Sequence, residues 1–289
     1  MKRFSVAGVQ MSVSAFEENL GQMNRYMAHI KYRFPWVNMV LFSELAALGP
    51  NPAKAEALPG KTEDRLREMA AKHGLWLIPG SLFERDGEHI YNTSPVIDPS
   101  GNVVARFRKL FPFRPYEQDT SAGSQFVIFD VPDVGRFGVS ICYDMWFPET
   151  TRTLAAMGAE VILHPTMTDT IDRDVELAIA RASAAINQVY FFDINGVGDG
   201  GVGRSIVVDP SGYVLHQAAS GAEIIPIEID FEKVRHERQN GTRHNLGQPL
   251  KSFRDREVDF SIYQREKGVD SYLQTLGPIV KPGIPIEDQ

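Results

Sequence analysis

One turn occurs twice in this chain, and it constrains the fold more than any other feature. Val96-Ile-Asp-Pro-Ser-Gly-Asn-Val103 and Val207-Val-Asp-Pro-Ser-Gly-Tyr-Val214 share the pattern V-[IV]-D-P-S-G-x-V. Proline presets φ and glycine accepts positive φ, so Asp-Pro-Ser-Gly between apolar runs is hairpin chemistry. Each copy follows its own alternation of strand-like and helix-like segments, which predicts two similar halves facing one another. Two unrelated turns of one type are the alternative.

The first half reads as a strand over Arg3–Met11, an amphipathic helix from a capping box at Ser14-Ala-Phe-Glu17 to about Phe34, and a short apolar run, Met39–Glu44. A helix over Thr62–His73 follows, with Thr62 as N-cap and Gly74 as stop, then a strand over Leu75–Glu84 and the first hairpin. The second half reads as a strand over Arg136–Tyr143, a helix over Pro148–Met157 stopped by Gly158, and a strand over Glu160–His164. An Ala-rich helix over Val175–Gln188, a strand over Val189–Asn195, the second hairpin, a strand over Glu223–Asp230 and a helix over Phe231–Gln239 complete it. Alternating units joined to hairpins predict a layered α/β fold with mixed sheets. The regular pattern ends near residue 242, which predicts a single domain over 1–242. Residues 243–289 read as an extended arm, part of the same domain or of a subunit interface, because Phe260, Ile262 and Tyr263 make it too apolar for a free linker.

The chain has 289 residues, 43% of them hydrophobic, ample for a buried core. Its formal net charge of −7 argues against nucleic acid or an anionic membrane as partner. No apolar run approaches the roughly 18 residues of a membrane helix. The start, MKRFSVAGVQMSV, reads as a first strand and not as a signal peptide. A soluble, cytoplasmic setting is therefore expected. One cysteine excludes an internal disulfide framework and a multi-cysteine zinc cage.

That cysteine, Cys142, closes the apolar segment Arg136-Phe-Gly-Val-Ser-Ile-Cys142 just before a helix start. The end of a strand beside a helix N-terminus is an elbow where free N–H groups favour a thiolate and can bind an oxyanion. A buried, inert thiol is the alternative. Glu44 ends a buried strand, where a carboxylate needs a partner or a raised pKa; a salt bridge or a helix cap is the plainer reading. Lys109 continues the second strand of the first hairpin, where the period of two puts Phe107 and Lys109 on one face and Arg106 and Arg108 on the other. Alone it would read as a solvated lysine.

Together these residues resemble the carbon–nitrogen hydrolase, or nitrilase, superfamily. The resemblance rests on Phe42-Ser-Glu44, Arg108-Lys-Leu-Phe-Pro112 and Gly138-Val-Ser-Ile-Cys-Tyr-Asp144 followed by Phe147-Pro-Glu149, in that order. Ala180-Arg-Ala182 before Asn187, Asn195 after a strand, and Gly203-Arg-Ser205 add to it, so that it spans about residues 3–230. It implies a four-layer αββα sandwich with two mixed sheets and pseudo-twofold halves, in subunits that pair as homodimers or larger homo-oligomers. It implies Cys142 as nucleophile, Glu44 as general base, Lys109 as electrostatic stabiliser, and Glu117 as a second, substrate-positioning glutamate. The backbone N–H of Tyr143 would help hold the oxyanion, while Trp146, Met167 and Thr168 would border the substrate. Neither a metal nor an organic cofactor is implied.

The implied reaction is hydrolysis of a linear non-peptide C–N bond, in a carboxamide or an N-carbamoyl amine, through a cysteine thioester with release of ammonia. Tyr143-Asp144 after the cysteine resembles the amidase and carbamoylase branches, whereas nitrile-hydrolysing members typically carry Trp-Glu there. A nitrilase, or a non-catalytic binding protein on the same fold, are the alternatives. Ile186 departs from the glutamate that often precedes the asparagine at the position of Asn187.

Three other patterns are set aside. Gly196-Val-Gly-Asp-Gly-Gly201 fits G-x-G-x-x-G but leads into a strand rather than a helix. Asn92-Thr-Ser94 fits a glycosylation acceptor that a cytoplasmic chain would not use. The histidines lack metal-ligand spacing, and His164 reads as a structural histidine at the pocket edge.

Overall fold

The computed structural model describes residues 3–241, 247–264 and 271–281. The repeat in the sequence is a repeat in topology. The first half runs β1 (Phe4–Gln10), β2 (Ser12–Val13), α1 (Leu20–Arg33), β3 (Met39–Phe42), α2 (Lys61–His73), β4 (Trp76–Ile78), β5 (Leu82–Asp86), β6 (His89–Ile97) and β7 (Val103–Arg108). The second runs β8 (Val127–Val131), β9 (Gly135–Val139), α3 (Pro148–Ala156), β10 (Val161–Thr166), α4 (Asp172–Asn187), β11 (Tyr190–Asn195), β12 (Val197–Gly198), β13 (Ile206–Val208) and β14 (Val214–Gln217). Then come β15 (Glu223–Ile229), α5 (Phe231–Asn240) and α6 (Pro249–Asp255).

Among the described residues, one sheet has the order β15-β1-β3-β4-β6-β5, with β7 also on β6; the other has β14-β13-β11-β10-β9-β8. In each half three strands run parallel through two crossover helices, as β1-β3-β4 and β9-β10-β11. Each half then turns antiparallel into its hairpin, β6-β7 or β13-β14. The hairpins even share a fault: the register slips between Val96 and Ile97 and again between Val207 and Val208, at matching places in the repeat.

The layers follow from which side chains are apolar on both faces of a strand. Phe4, Val6, Met39 and Leu41 from one sheet meet Phe137, Val139, Leu163 and Phe192 from the other in a buried core between the sheets. Ala7, Val9, Val40 and Phe42 face the opposite way onto Met23, Met27 and Ile30 of α1 and Leu66 of α2. Leu154 of α3 and Ala180 and Ala184 of α4 cover Ile162 and Phe191 on the other sheet. The result is the expected αββα sandwich. No helix among the described residues is long and apolar enough to cross a membrane.

Several boundaries differ from the sequence reading. Ser14 does not cap α1: its hydroxyl accepts from the N–H groups of Phe16 and Glu17 in a local turn, and the helix starts at Leu20. α2 begins at Lys61 with Gly60 as N-cap; the Thr62 N–H donates to Glu56 Oε1 at 2.9 Å. Its C-terminus is as expected, with Gly74 left-handed. The strand expected over Leu75–Glu84 is two strands, broken by Pro79-Gly80. Gly80 has φ +80°, and an added Cβ there would lie 1.7 Å from the Ser43 carbonyl oxygen. The strand expected to reach Tyr143 stops at Val139, because the chain turns through Cys142.

Within the arm, α6 packs against α4 through Leu250, the Arg152 guanidinium lies 5.7 Å from the Phe253 ring, and the Tyr263 hydroxyl donates to Glu149 at 2.6 Å. Phe253, Ile262, Tyr263 and Tyr272 are exposed. Residues 243–246, 265–270 and 282–289 of the expected arm lie outside the described residues.

Candidate active site

Strand ends from both sheets converge on one point. Glu44 follows β3, and its N–H donates to the carbonyl of Thr166 at the end of β10, 3.2 Å across the sandwich. Lys109 follows β7; its N–H donates to Asn92 on β6 at 2.8 Å, one rung beyond the Thr93–Arg108 pair. The expected strand period holds: Phe107 and Lys109 are buried, while Arg106 and Arg108 are half-exposed and pair with Glu63 and Glu84.

The Lys109 ammonium donates to Glu44 Oε1 at 2.9 Å and to Glu117 Oε2 at 2.8 Å. Lys109 is 2% and Glu44 1% exposed, so this is a buried array of two carboxylates on one cation. Burial alone would pull Lys109 down, but Glu44, Cys142 and Glu117 together hold its pKa well above the ordinary lysine value. Burial pushes Glu44 up, Lys109 opposes the rise and Glu117 adds to it. Asn92 Nδ2 donates to the same Glu44 oxygen at 2.7 Å, and the Phe113 N–H donates to Glu117 Oε2 at 2.5 Å.

Cys142 opens a 3₁₀ turn, Cys142–Trp146, with φ +46°. A left-handed non-glycine residue costs on the order of 1–2 kcal/mol and persists where its surroundings fix it. Here Asp144 does the fixing. Its Oδ2 accepts from the Ile141 N–H at 2.9 Å, while Oδ1 accepts from Leu110 and Phe111 at 3.1 and 2.8 Å. One buried carboxylate thus ties the cysteine's turn to the segment that follows Lys109. Burial pushes Asp144 up to about 7 despite these donors.

The sulfur lies 3.9 Å from the Met167 carbonyl oxygen and 4.0 Å from Thr168 Oγ1. The thiolate expected of a helix N-terminus is not favoured at rest: burial and then Glu44 push the thiol's pKa well above normal, against Lys109. The thiol therefore needs a base, and a carboxylate stands near enough to influence its titration.

Behind Thr168 lies a second buried ionic group. Thr168 Oγ1 donates to Glu176 Oε1 at 3.0 Å, and Trp146 Nε1 donates to the same oxygen at 3.4 Å. Arg173 joins Glu176 at 3.2 Å and Asp193 at 2.8 Å. His164 sits beneath the elbow, its Nδ1 2.7 Å from Ser140 Oγ, and burial depresses its pKa to about 3, so it is a neutral structural residue. Among the described residues no group of three His, Cys, Asp or Glu side chains could hold a metal ion.

Glu44, Lys109, Glu117 and Cys142, with Met167 and Thr168, are thus brought together. Tyr143 and Trp146 stand beside them, ring centroids 6.1 Å apart. Sequence reasoning missed Asn92, Asp144, Arg173, Glu176 and Asp193. Asn92 could have been found by counting the hairpin ladder back from its turn to the rung opposite Lys109. Ile186 is half-exposed, and Asn187 instead donates to the Ser183 carbonyl at 2.9 Å.

With this geometry the chain matches known proteins. Omega-amidase NIT2 of Homo sapiens is 32% identical over 203 residues, 65% of this chain and 73% of that protein. Omega-amidase NIT2 of Danio rerio is 28% identical over 257 residues, 83% of this chain and 92% of that protein. Among solved structures, Saccharomyces cerevisiae Nit3, a member of branch 10 of the nitrilase superfamily, aligns with TM-score 0.76 at 28% identity, covering 82% of this chain and 94% of Nit3. A cysteine-to-alanine variant of the Nesterenkonia AN1 amidase from the nitrilase superfamily aligns with TM-score 0.73 at 25% identity, covering 84% and 97%. The family profile for carbon-nitrogen hydrolase matches residues 5–239, from the second residue of β1 to the last turn of α5. By that match the chain belongs to the carbon-nitrogen hydrolase family.

Proposed function

We propose that the protein is an amidase that cleaves a linear carboxamide or N-carbamoyl amine through a thioester on Cys142 and releases ammonia. The observation that carries this reading is the buried Glu44–Lys109 pair, 2.9 Å apart, beside a thiol held neutral by its surroundings. A neutral thiol becomes a nucleophile only if its proton has somewhere to go. Glu44 takes that proton as sulfur attacks the carbonyl carbon. The oxyanion is held by the Lys109 ammonium and the Tyr143 N–H. Glu44 returns the proton to the leaving nitrogen as the C–N bond breaks. It then takes a proton from the water that attacks the thioester and passes it to the departing sulfur, so that thiol and carboxylate are both restored as the acid product leaves. Glu117 orients Lys109 and the substrate, while Met167 and Thr168 border the acyl group.

Amide is preferred over nitrile because Tyr143-Asp144 follows the cysteine and because the matched relatives are named omega-amidase and amidase. The reading extends to a single domain over 1–242, with 243–289 as an arm of that domain or of a subunit interface. Homodimers or larger homo-oligomers in the cytoplasm accord with the exposed apolar side chains of the arm and the lone cysteine. Ammonia release is to be measured over aliphatic amides, ω-amides, N-carbamoyl amines and nitriles, with Cys142→Ala as control. Turnover of an amide or carbamoyl compound that vanishes in the folded variant supports the proposal. Full activity of that variant overturns the mechanism. Turnover of nitriles alone makes the enzyme a nitrilase, and no turnover leaves a binding protein.

A further inference from the structure

Ring stacking and buried charge at the mouth of the crevice define what the rest of the substrate can be. Two segments flank the site, 111–116 just before Glu117 and 143–147 just after Cys142, and both are aromatic. Phe111 stacks on Phe147 at 3.6 Å, Phe147 meets Tyr143 at 5.3 Å, Tyr143 meets Phe113 at 4.9 Å, and Phe113 stacks on Tyr116 at 5.0 Å. This string is accessible: Tyr116 is 58% exposed and Phe111 36%.

Around it, carboxylates outnumber cations. On one side of Cys142, Glu44 and Glu117 share Lys109. On the other, Glu176 and Asp193 share Arg173. Contacts of 4.0 and 3.0 Å through Thr168 keep the Glu176 oxygen within about 7 Å of the sulfur. Of the other nearby cations, Arg114 donates to the neutral carbonyls of Glu117 and Thr120 and keeps its charge, which leaves four carboxylates facing three cations, while Arg204 pairs with Asp174 at 2.7 Å. Exposed Asp169 continues the acidic rim next to Thr168.

We propose that the substrate's remote end is a cationic amine, an ammonium or guanidinium drawn by the carboxylate excess and lying on the aromatic string, and that the site rejects amides carrying a remote carboxylate. This rests on the amidase reading above and names its substrate class. An aromatic face attracts a cation through its quadrupole, more so where water is displaced. For a remote group held about 7 Å from one excess charge, the effective dielectric near a protein surface gives discrimination on the order of 50-fold per unit of substrate charge.

The test compares kcat/KM for ammonia release from three amides of matched length: 4-aminobutanamide, pentanamide and succinamic acid. The expected order is cationic over neutral over anionic, with on the order of 50-fold at each step. Glu176→Gln, which removes one of those charges, should bring each step down by on the order of the same 50-fold, to near parity. Tyr116→Leu, which removes the most exposed ring of the string and leaves every charge in place, should lower the cationic substrate's rate more than the other two, and it serves if the glutamine variant does not fold. Preference for succinamic acid, or equal rates for all three, overturns the inference while leaving the amidase reading intact. Failure to hydrolyse any of them, together with no turnover across the wider amide panel, overturns the reading beneath it.

Discussion

Asp144→Asn should change the protein's stability in a way that depends on pH, and the structure sets both sign and size. The carboxyl accepts three backbone N–H groups, from Ile141, Leu110 and Phe111, and is fully buried. Burial raises its pKa from 3.8 to about 7 in the folded chain. A group with a raised folded pKa keeps more protons in the folded than in the unfolded state between those values. Its stabilising contribution is therefore complete below about pH 4 and is lost as pH rises through about 7. At about 1.36 kcal/mol per pKa unit, the part lost between pH 5 and pH 8 is roughly 2–3 kcal/mol. Asparagine does not titrate, but its amide must turn one N–H₂ toward a backbone donor, leaving at least one bond unmade at about 1–3 kcal/mol. The variant should thus be the less stable protein at pH 5, and the gap should shrink by roughly 2–3 kcal/mol by pH 8. Urea unfolding of both proteins at the two pH values measures the gap, and the difference between proteins removes the other buried carboxyls from the comparison. A gap that is constant or widens with pH would show that Asp144 is ionised throughout and would refute the argument from burial.

Lys109→Ala should lower kcat by about 2.7–4 kcal/mol if the ammonium acts as one oxyanion stabiliser. Because it also leaves buried Glu44 and half-buried Glu117 without their cation, urea unfolding should show a further loss of about 3–5 kcal/mol in stability. Gly80→Ala should cost more than the roughly 1–2 kcal/mol of a left-handed alanine, because the new methyl would sit 1.7 Å from Ser43 O and shift Glu44. Gly74→Ala, also left-handed but with nothing within 4 Å of the added carbon, is the control that should lose only the conformational part and keep full activity.

Much of this was legible because it is local. Proline and glycine fixed the hairpins, periodicity fixed the helices and strands to within a few residues, and the order of Glu44, Lys109 and Cys142 along the chain marked the family. What escaped is non-local. Ser14 has the right spacing for a capping box, yet its hydroxyl accepts from Phe16 and Glu17 in a local turn ahead of the helix, and Asn19 does the bridging instead. The break at Gly80 exists because another strand's carbonyl passes beside it. Glu176 and Asp193 look like ordinary acids on a helix and a strand until the fold brings Arg173 between them. The dipole argument for a thiolate at Cys142 failed for the same reason: a helix start is visible in sequence, but the burial that outweighs it is not.

Gln10 carries a consequence of the repeat. The crevice uses the ends of β3, β7, β9 and β10, and the counterpart of β9 in the other half is β1. At that twin position buried Gln10 accepts from the N–H and hydroxyl of Ser205 at 2.9 and 2.7 Å and donates to the carbonyls of Ala219 and Gly221 at 2.7 and 2.5 Å. The strand end that carries the thiol in one half thus carries in the other an amide fixed by four hydrogen bonds. The halves have thereby become specialists: one brings the base and the ammonium, the other the thiol, and neither could stand in for its twin.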